Sequence, residues 1–286
     1  MLEPHVDPAA RESSTAFPLD GLTFDISSMP EEDLVAYGNV APVLYSLASM
    51  KVVRLSKSLV MKFGNTVLAS EGETMKYVAM KFPKFMLPRV HRCFNIQETI
   101  SYFGDELSPG TRESVIKQVA VMINQLQSIR CDRPGGISGE KSRGMWFSDY
   151  GAGPFRSKEV FQDWIAWKLK MSKRYQHALP ETLALECSTF VLVHGDISPR
   201  NLVLGNNNQI WMIDWGYAGF YPPIFEAATI KHQLQFQSFS QLLLPHIYNH
   251  PEELAQLEAC SYGIHRVPFS LPPEMEKDSE VDLSAA

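Results

Sequence analysis

The sequence predicts an α+β chain of 286 residues in two parts, a small strand-rich one followed by a larger, mainly helical one. Three observations carry this reading. Apolar runs of strand length crowd residues 40–63, and apolar stripes at helical spacing recur after residue 108. Further on, a Gly/Asn turn separates two short apolar runs, 202–204 and 210–213, the local signature of an antiparallel hairpin.

Taken in order, residues 1 to about 30 carry Pro, Ser, Asp and Glu with little periodicity and read as a partly ordered lead-in. Three strand-like runs follow: Val43-Leu44-Tyr45, Lys51 to Leu55, and Ser58 to Phe63, closed by Gly64-Asn65. A helix is predicted within Glu71 to Met80, where Met75, Val78 and Ala79 repeat at helical spacing and Glu71 suits the positive end of the helix dipole. Ser108-Pro109 supplies an N-cap and a proline at the first helical position. The helix it opens runs to about Ile129, with Val115, Ile116, Val119, Met122, Ile123, Leu126 and Ile129 as its core stripe. A stretch rich in Gly, Ser and aromatics, 133–154, leads to a second amphipathic helix, roughly Ser157 to Tyr175, which buries Phe161, Trp164, Ile165, Trp167 and Leu169. Helices resume after Pro222-Pro223 and continue to about Gly263, Glu252 to Ser261 among them. From Pro272 the chain carries five acidic residues against Lys277 and reads as a solvated, mobile tail. The predicted divisions are therefore 1–30, 31–107, 108–265 and an acidic tail 266–286, with no internal repeat.

Composition narrows the function. A hydrophobic content of 45% is enough for a full core, and a net charge of −6 without basic runs argues against a nucleic-acid partner, whose binding needs clustered Lys and Arg. The first residues resemble no signal peptide, and no apolar stretch approaches membrane-spanning length, so a cytoplasmic protein with no membrane partner is expected. Cys93, Cys131, Cys187 and Cys260 stand at wide spacings without a Cys-x-x-Cys pair, which indicates reduced, structural thiols rather than zinc ligands or disulfides.

The chemistry concentrates between Val191 and Pro222. An apolar run ends in His194-Gly195-Asp196, a polar loop leads to Asn201, and the hairpin then delivers Asp214. Pairing about the centre of the turn sets position 201 opposite position 214 and brings an amide and a carboxylate together, with Asp196 at the start of the same loop. Oxygen-only donors suit a hard cation such as Mg²⁺, which shares its remaining coordination with water and substrate phosphates. Asp and Asn are also ordinary loop residues; it is their joint spacing that points to phosphate chemistry.

His194-Gly195-Asp196 through Asn201, followed by Ile213-Asp214-Trp215 and Ala218-Gly219-Phe220-Tyr221-Pro222, resembles the core of the aminoglycoside phosphotransferase and choline kinase family, in particular its fungal members. The resemblance implies a protein kinase-like, two-lobed fold that uses ATP and Mg²⁺. It assigns Asp196 to orient or deprotonate the acceptor hydroxyl, and Asn201 and Asp214 to hold the metal. Lys62, in Val-Met-Lys-Phe-Gly, matches the third-strand lysine that contacts the α- and β-phosphates. Glu71 stands where the family places the partner of that lysine, with Glu73 as the neighbouring alternative. His-Gly-Asp in place of the His-Arg-Asp of protein kinases implies a small-molecule acceptor. Gly151-Ala152-Gly153-Pro154-Phe155 is similar to a segment of the fungal members, and places 133–154 as an insertion near the acceptor site.

The chain also departs from the family pattern. Ala41 to Ser49 contains no glycine where a phosphate loop is expected, Phe225 replaces the Trp of a Trp-Glu pair, and Gly216 stands where fungal members carry Glu. Only twelve residues, Ile96 to Leu107, stand where strand five and the adenine-binding hinge belong. Either Glu98 to Phe103 forms an abbreviated strand with the hinge in Gly104 to Leu107, or the adenine pocket is truncated. Two functions are therefore carried forward: an ATP- and Mg²⁺-dependent phosphotransferase acting on a small-molecule hydroxyl, and a non-catalytic kinase-like binding protein with impaired nucleotide binding. A protein kinase is disfavoured because no Ala-Pro-Glu-like segment follows Asp214.

Overall fold

The computed structural model describes residues 17–20, 26, 28–47, 50–64, 67–91, 109–204 and 208–272. The chain divides into two compact units, the first of residues 1–76 and 88–107, the second of residues 77–87 and 108–286.

The first unit holds α1 (Glu31–Val40) and an antiparallel sheet of β1 (Val43–Leu47), β2 (Met50–Arg54) and β3 (Val60–Gly64) in the order β1-β2-β3, followed by α2 (Ala69–Lys81), whose last residues belong to the second unit. Leu19, Leu34, Ala41, Val53 and Leu55 form its core, with Tyr37, Met61 and Phe63 packed against them. Residues of the lead-in are part of this core: Phe17 and Leu19 are buried, the Leu19 N–H donates to the Leu55 carbonyl at 2.9 Å, and the Arg54 guanidinium lies 4.6 Å from the Phe17 ring. The helix α1 has no counterpart in the sequence reading, because of its residues only Leu34 and Gly38 are buried and no apolar stripe announces it. The segment 96–107, on which both hinge alternatives fell, lies outside the described residues.

The second unit begins its long elements with α3 (Pro109–Gln127), then β4 (Arg130–Cys131), and a hairpin of β5 (Ser142–Gly144) and β6 (Ser148–Ala152) around a 3₁₀ turn at Met145–Phe147. Next come α4 (Lys158–Arg174), β7 (Phe190–Val193), the hairpin β8 (Leu202–Leu204) and β9 (Ile210–Met212), and β10 (Gly219–Tyr221). The helices α5 (Ile224–His232), α6 (Gln237–Leu243), α7 (Pro251–Ala259) and α8 (Ser261–His265) complete it. β7 pairs antiparallel with both β10 and β4, and all four of its residues are buried.

The α3 stripe from Val115 to Leu126 is buried as its spacing requires. α4 starts where Ser157 Oγ accepts the Val160 N–H at 3.4 Å, a side-chain N-cap. Its inward face carries Phe161 and Trp164 into an aromatic cluster with Phe147, Phe155 and Phe225, while Trp167 is half-buried and donates to Ser270 Oγ.

One charged residue of α4 is also inside. Lys168 is 1% exposed, and its ammonium donates to the carbonyls of Val267, Pro268 and Ser270 at 2.9, 3.0 and 2.8 Å. Three donors meet three acceptors, so the buried charge is solvated by backbone. Residues 267–270, which composition places at the head of the acidic tail, are tied to α4 by these bonds. Among the described residues no helix is long and apolar enough to cross a membrane.

Candidate active site

The buried strand β7 delivers His194-Gly195-Asp196. Gly195 has φ 79°, in the left-handed region, and a Cβ there would stand 2.9 Å from the Tyr217 carbonyl oxygen, so only glycine fits. His194 is fully buried: its Nδ1 accepts the Asp196 N–H at 3.3 Å and its Nε2 lies 3.1 Å from the Ile213 carbonyl. That network assigns the ring proton to Nε2. The ring also meets Trp215 edge-on at 4.7 Å, which ties the loop after β7 to the residues around Asp214.

Asp196 is 9% exposed and receives three side-chain donors. Arg200 Nη2 reaches Oδ1 at 2.6 Å, Gln233 Nε2 reaches Oδ1 at 3.1 Å, and Asn201 Nδ2 reaches Oδ2 at 2.9 Å while also donating to the Asp196 carbonyl at 2.7 Å. Burial pushes the Asp196 carboxyl above its ordinary range and the Asp214 charge adds to this, while Arg200 and Asn201 oppose it. Because the Asn201 amide nitrogen is committed to Asp196, its Oδ1 is the atom left to meet a cation.

The hairpin register corrects one expectation. Leu202 pairs with Met212, Val203 with Trp211 and Leu204 with Ile210, and the Ile213 N–H donates to the Asn201 carbonyl at 3.0 Å. Asn201 therefore stands opposite Ile213, not Asp214. Loop length sets hairpin register, and residues 205–209, an odd number, separate the paired ends. Asp214 follows the last paired residue at φ 64°, a left-handed conformation that Asp tolerates better than most residues. It is half-buried, and the indole of the next residue, Trp215, is anchored by donation to the Met212 carbonyl at 3.1 Å. The charge of Asp214 is felt at Asp196.

In the first unit Lys62 occupies β3 opposite Val52. Its ammonium is 2.7 and 2.9 Å from the two carboxylate oxygens of Glu71, which is 7% exposed in the first turn of α2. Of the two candidate carboxylates, Glu71 makes this pair and Glu73 is exposed.

Three participants escaped the sequence reading. Arg200 sits inside the loop and pairs with Asp196 one helical turn away in sequence. Glu226 is 1% exposed; its Oε2 accepts the His194 N–H at 2.6 Å and its Oε1 the Gly195 N–H at 3.2 Å, so one carboxylate ties down the backbone that leads to Asp196. Burial pushes its pKa up to about 7, helped by the Asp196 charge and opposed by those two N–H bonds. A single acid in the buried run Ile224–Ile230 was a usable signal, since a charge inside a core needs partners. Gln233 carried no such signal: glutamine just past a helix end is ordinary.

Comparison with known proteins places the chain. A family profile described as the APH phosphotransferase enzyme family matches residues 89–243, just over half of the chain. Aurora kinase A-A of Xenopus laevis is 26% identical over 161 residues, which are 56% of this chain and 34% of that protein, so the matched span is about a third of that relative's length. Among solved structures, the gentamicin complex of APH(2")-IIa aligns with 81% of this chain and 85% of its own at 16% identity and a TM-score of 0.49. ADP-bound aminoglycoside phosphotransferase APH(2'')-Ib aligns with 89% and 97% at 16% identity and 0.49. Choline kinase LicA from Streptococcus pneumoniae aligns with 82% and 88% at 12% identity and 0.43.

Proposed function

The chain belongs to the phosphotransferase enzyme family, and from that premise we infer that it is a small-molecule kinase, transferring the γ-phosphoryl group of ATP to an acceptor hydroxyl with Mg²⁺. The observation that carries this reading is the state of Asp196: a buried carboxylate, locked by three donors from the loop and from the residue that caps α5, is prepared for one partner more. In the step it serves, the acceptor O–H bond breaks and its proton passes to the Asp196 carboxylate. The acceptor oxygen forms a bond to the γ-phosphorus, and the bond from that phosphorus to the bridging oxygen breaks, its electron pair leaving with ADP.

The donor set fits the metal. Asn201 Oδ1 and the Asp214 carboxylate are hard oxygen donors, two protein ligands of the kind Mg²⁺ takes when substrate phosphates supply others. When bound, Mg²⁺ neutralises charge that develops on the phosphate oxygens. Lys62 is the residue proposed for the α- and β-phosphates, and Glu71 holds the lysine in place. Arg200 brings a further positive charge to Asp196.

Binding is tested by melting with and without Mg·ATP. A nucleotide at a hundredfold its dissociation constant adds about 2.7 kcal/mol to the stability of the folded state, so the wild-type melting temperature rises by several degrees and Asp214→Ala abolishes the rise. Absence of any shift in the wild type would favour the non-catalytic kinase-like reading instead.

A further inference from the structure

A carboxylate offers about four lone-pair positions, two on each oxygen. In Asp196 the Oδ1 positions are both taken, by Arg200 Nη2 at 2.6 Å and Gln233 Nε2 at 3.1 Å. Among the described residues Oδ2 accepts one bond, from Asn201 Nδ2 at 2.9 Å. The position left over is therefore on Oδ2.

We propose that Gln233 is a positioning residue of the transfer step: with Arg200 it fills Oδ1, so that the acceptor hydroxyl bonds to Oδ2 and delivers its proton there. This rests on the phosphotransferase reading and adds to it the oxygen that acts and the residue that selects it.

Gln233 is placed for this role differently from the other two donors. Arg200 and Asn201 belong to the same loop as Asp196, whereas Gln233 caps the C-terminal end of α5. Glu226, seven residues earlier on the same helix and so about two turns away, holds the N–H groups of His194 and Gly195. α5 thus grips the loop twice, by its backbone through Glu226 and by its catalytic carboxylate through Gln233. The direction of the amide is set by charge, since the reversed amide would aim Oε1 at Asp196 Oδ1. In the observed direction Oε1 is buried without a hydrogen-bond partner among the described residues, and Gln233 is 8% exposed. A buried, unpaired amide oxygen is a stability defect. A residue chosen only for packing would avoid it, and the bond to Asp196 is what Gln233 provides in return.

Gln233→Met separates the two roles, because it keeps the length of the side chain, removes the donor, and also removes the unpaired oxygen. Mg·ATP turnover with water as acceptor is measured for the wild type, Gln233→Met, Asp196→Asn and the double variant, together with melting temperatures. The inference expects at least a tenfold fall in kcat for Gln233→Met, in line with the cost of misplacing a reacting group. It also expects KM for Mg·ATP within about twofold of wild type, a melting temperature equal to or above it, and no further loss of kcat when Gln233→Met is added to Asp196→Asn. Wild-type kcat in Gln233→Met overturns the inference, as does a fall in kcat that comes with a matching fall in melting temperature. Equal turnover by wild type and Asp196→Asn is a different failure: it removes the phosphotransferase reading itself.

Discussion

Replacing Glu226 by Gln keeps the shape of the side chain but turns one of the two oxygens that accept the His194 and Gly195 N–H groups into a donor. The magnitude of interest is its dependence on pH. In the folded protein burial raises the Glu226 pKa from its ordinary value of 4.5 to about 7. Between those values the folded state keeps a proton that the unfolded chain has released, so the stability this group contributes is full below about pH 4.5 and is lost as pH rises through 7. The displacement corresponds to about 3 kcal/mol, of which about 2.5 kcal/mol falls between pH 5 and pH 8. Gln does not titrate. The stability of Glu226→Gln relative to wild type should therefore improve by about 2.5 kcal/mol from pH 5 to pH 8, roughly 5–10 °C in the difference between their melting temperatures. The titrating groups other than Asp196, whose charge is coupled to Glu226, are common to the two proteins and cancel, so parallel thermal melts at the two pH values at one ionic strength read the Glu226 titration together with that coupling. A difference that stays constant, or that moves against the variant as pH rises, would refute the placement of a buried, proton-binding carboxylate under the catalytic loop.

Two further substitutions probe the scaffold. Gly195→Ala forces a Cβ into the left-handed region, against the Tyr217 carbonyl; about 2 kcal/mol of stability is expected to go, together with most Mg·ATP turnover, as Asp196 shifts. Lys168→Met strands the three carbonyls its ammonium binds. Burial lowers the Lys168 pKa to about 8, so the wild type gains stability relative to the variant as pH rises from 8 to about 10.5. At pH 7 the loss of three charge-assisted bonds outweighs the relieved desolvation by about 3 kcal/mol, readable as a lower melting temperature.

Much of this arrangement was legible in the sequence, and the parts that were not have physical reasons. The buried stripe of α3 follows from periodicity, because burial on one face of a helix imposes a period of 3.6, and the strands Leu202–Leu204 and Ile210–Met212 follow from two apolar runs on either side of a Gly/Asn turn. The register between those strands does not, since composition does not say how many residues the turn leaves unpaired, and Asn201 falls opposite Ile213 as a result. α1 was missed for the opposite reason: with Leu34 and Gly38 its buried positions, it has hardly any apolar face to read. Asp196, Asn201 and Asp214 lie close in sequence and stand out by their spacing, of which the structure shows the Asn201–Asp196 bond; Lys62 and Glu71, expected from the resemblance, do pair. Glu226 and Gln233 act on the catalytic loop from 32 and 37 residues away. Such contacts arise only when α5 packs beside β7 and its loop, and a local pattern holds no record of that packing.

The most direct test of the central claim is the rate at which the purified chain converts Mg·ATP to ADP, compared between wild type and Asp196→Ala. On the proposed function the chain turns over Mg·ATP slowly with water as acceptor, and Asp196→Ala should lose that turnover while keeping its stabilisation by Mg·ATP, because the proposal has the aspartate serve the acceptor rather than the nucleotide. Equal rates in the two proteins, or no turnover and no stabilisation in either, would contradict the account.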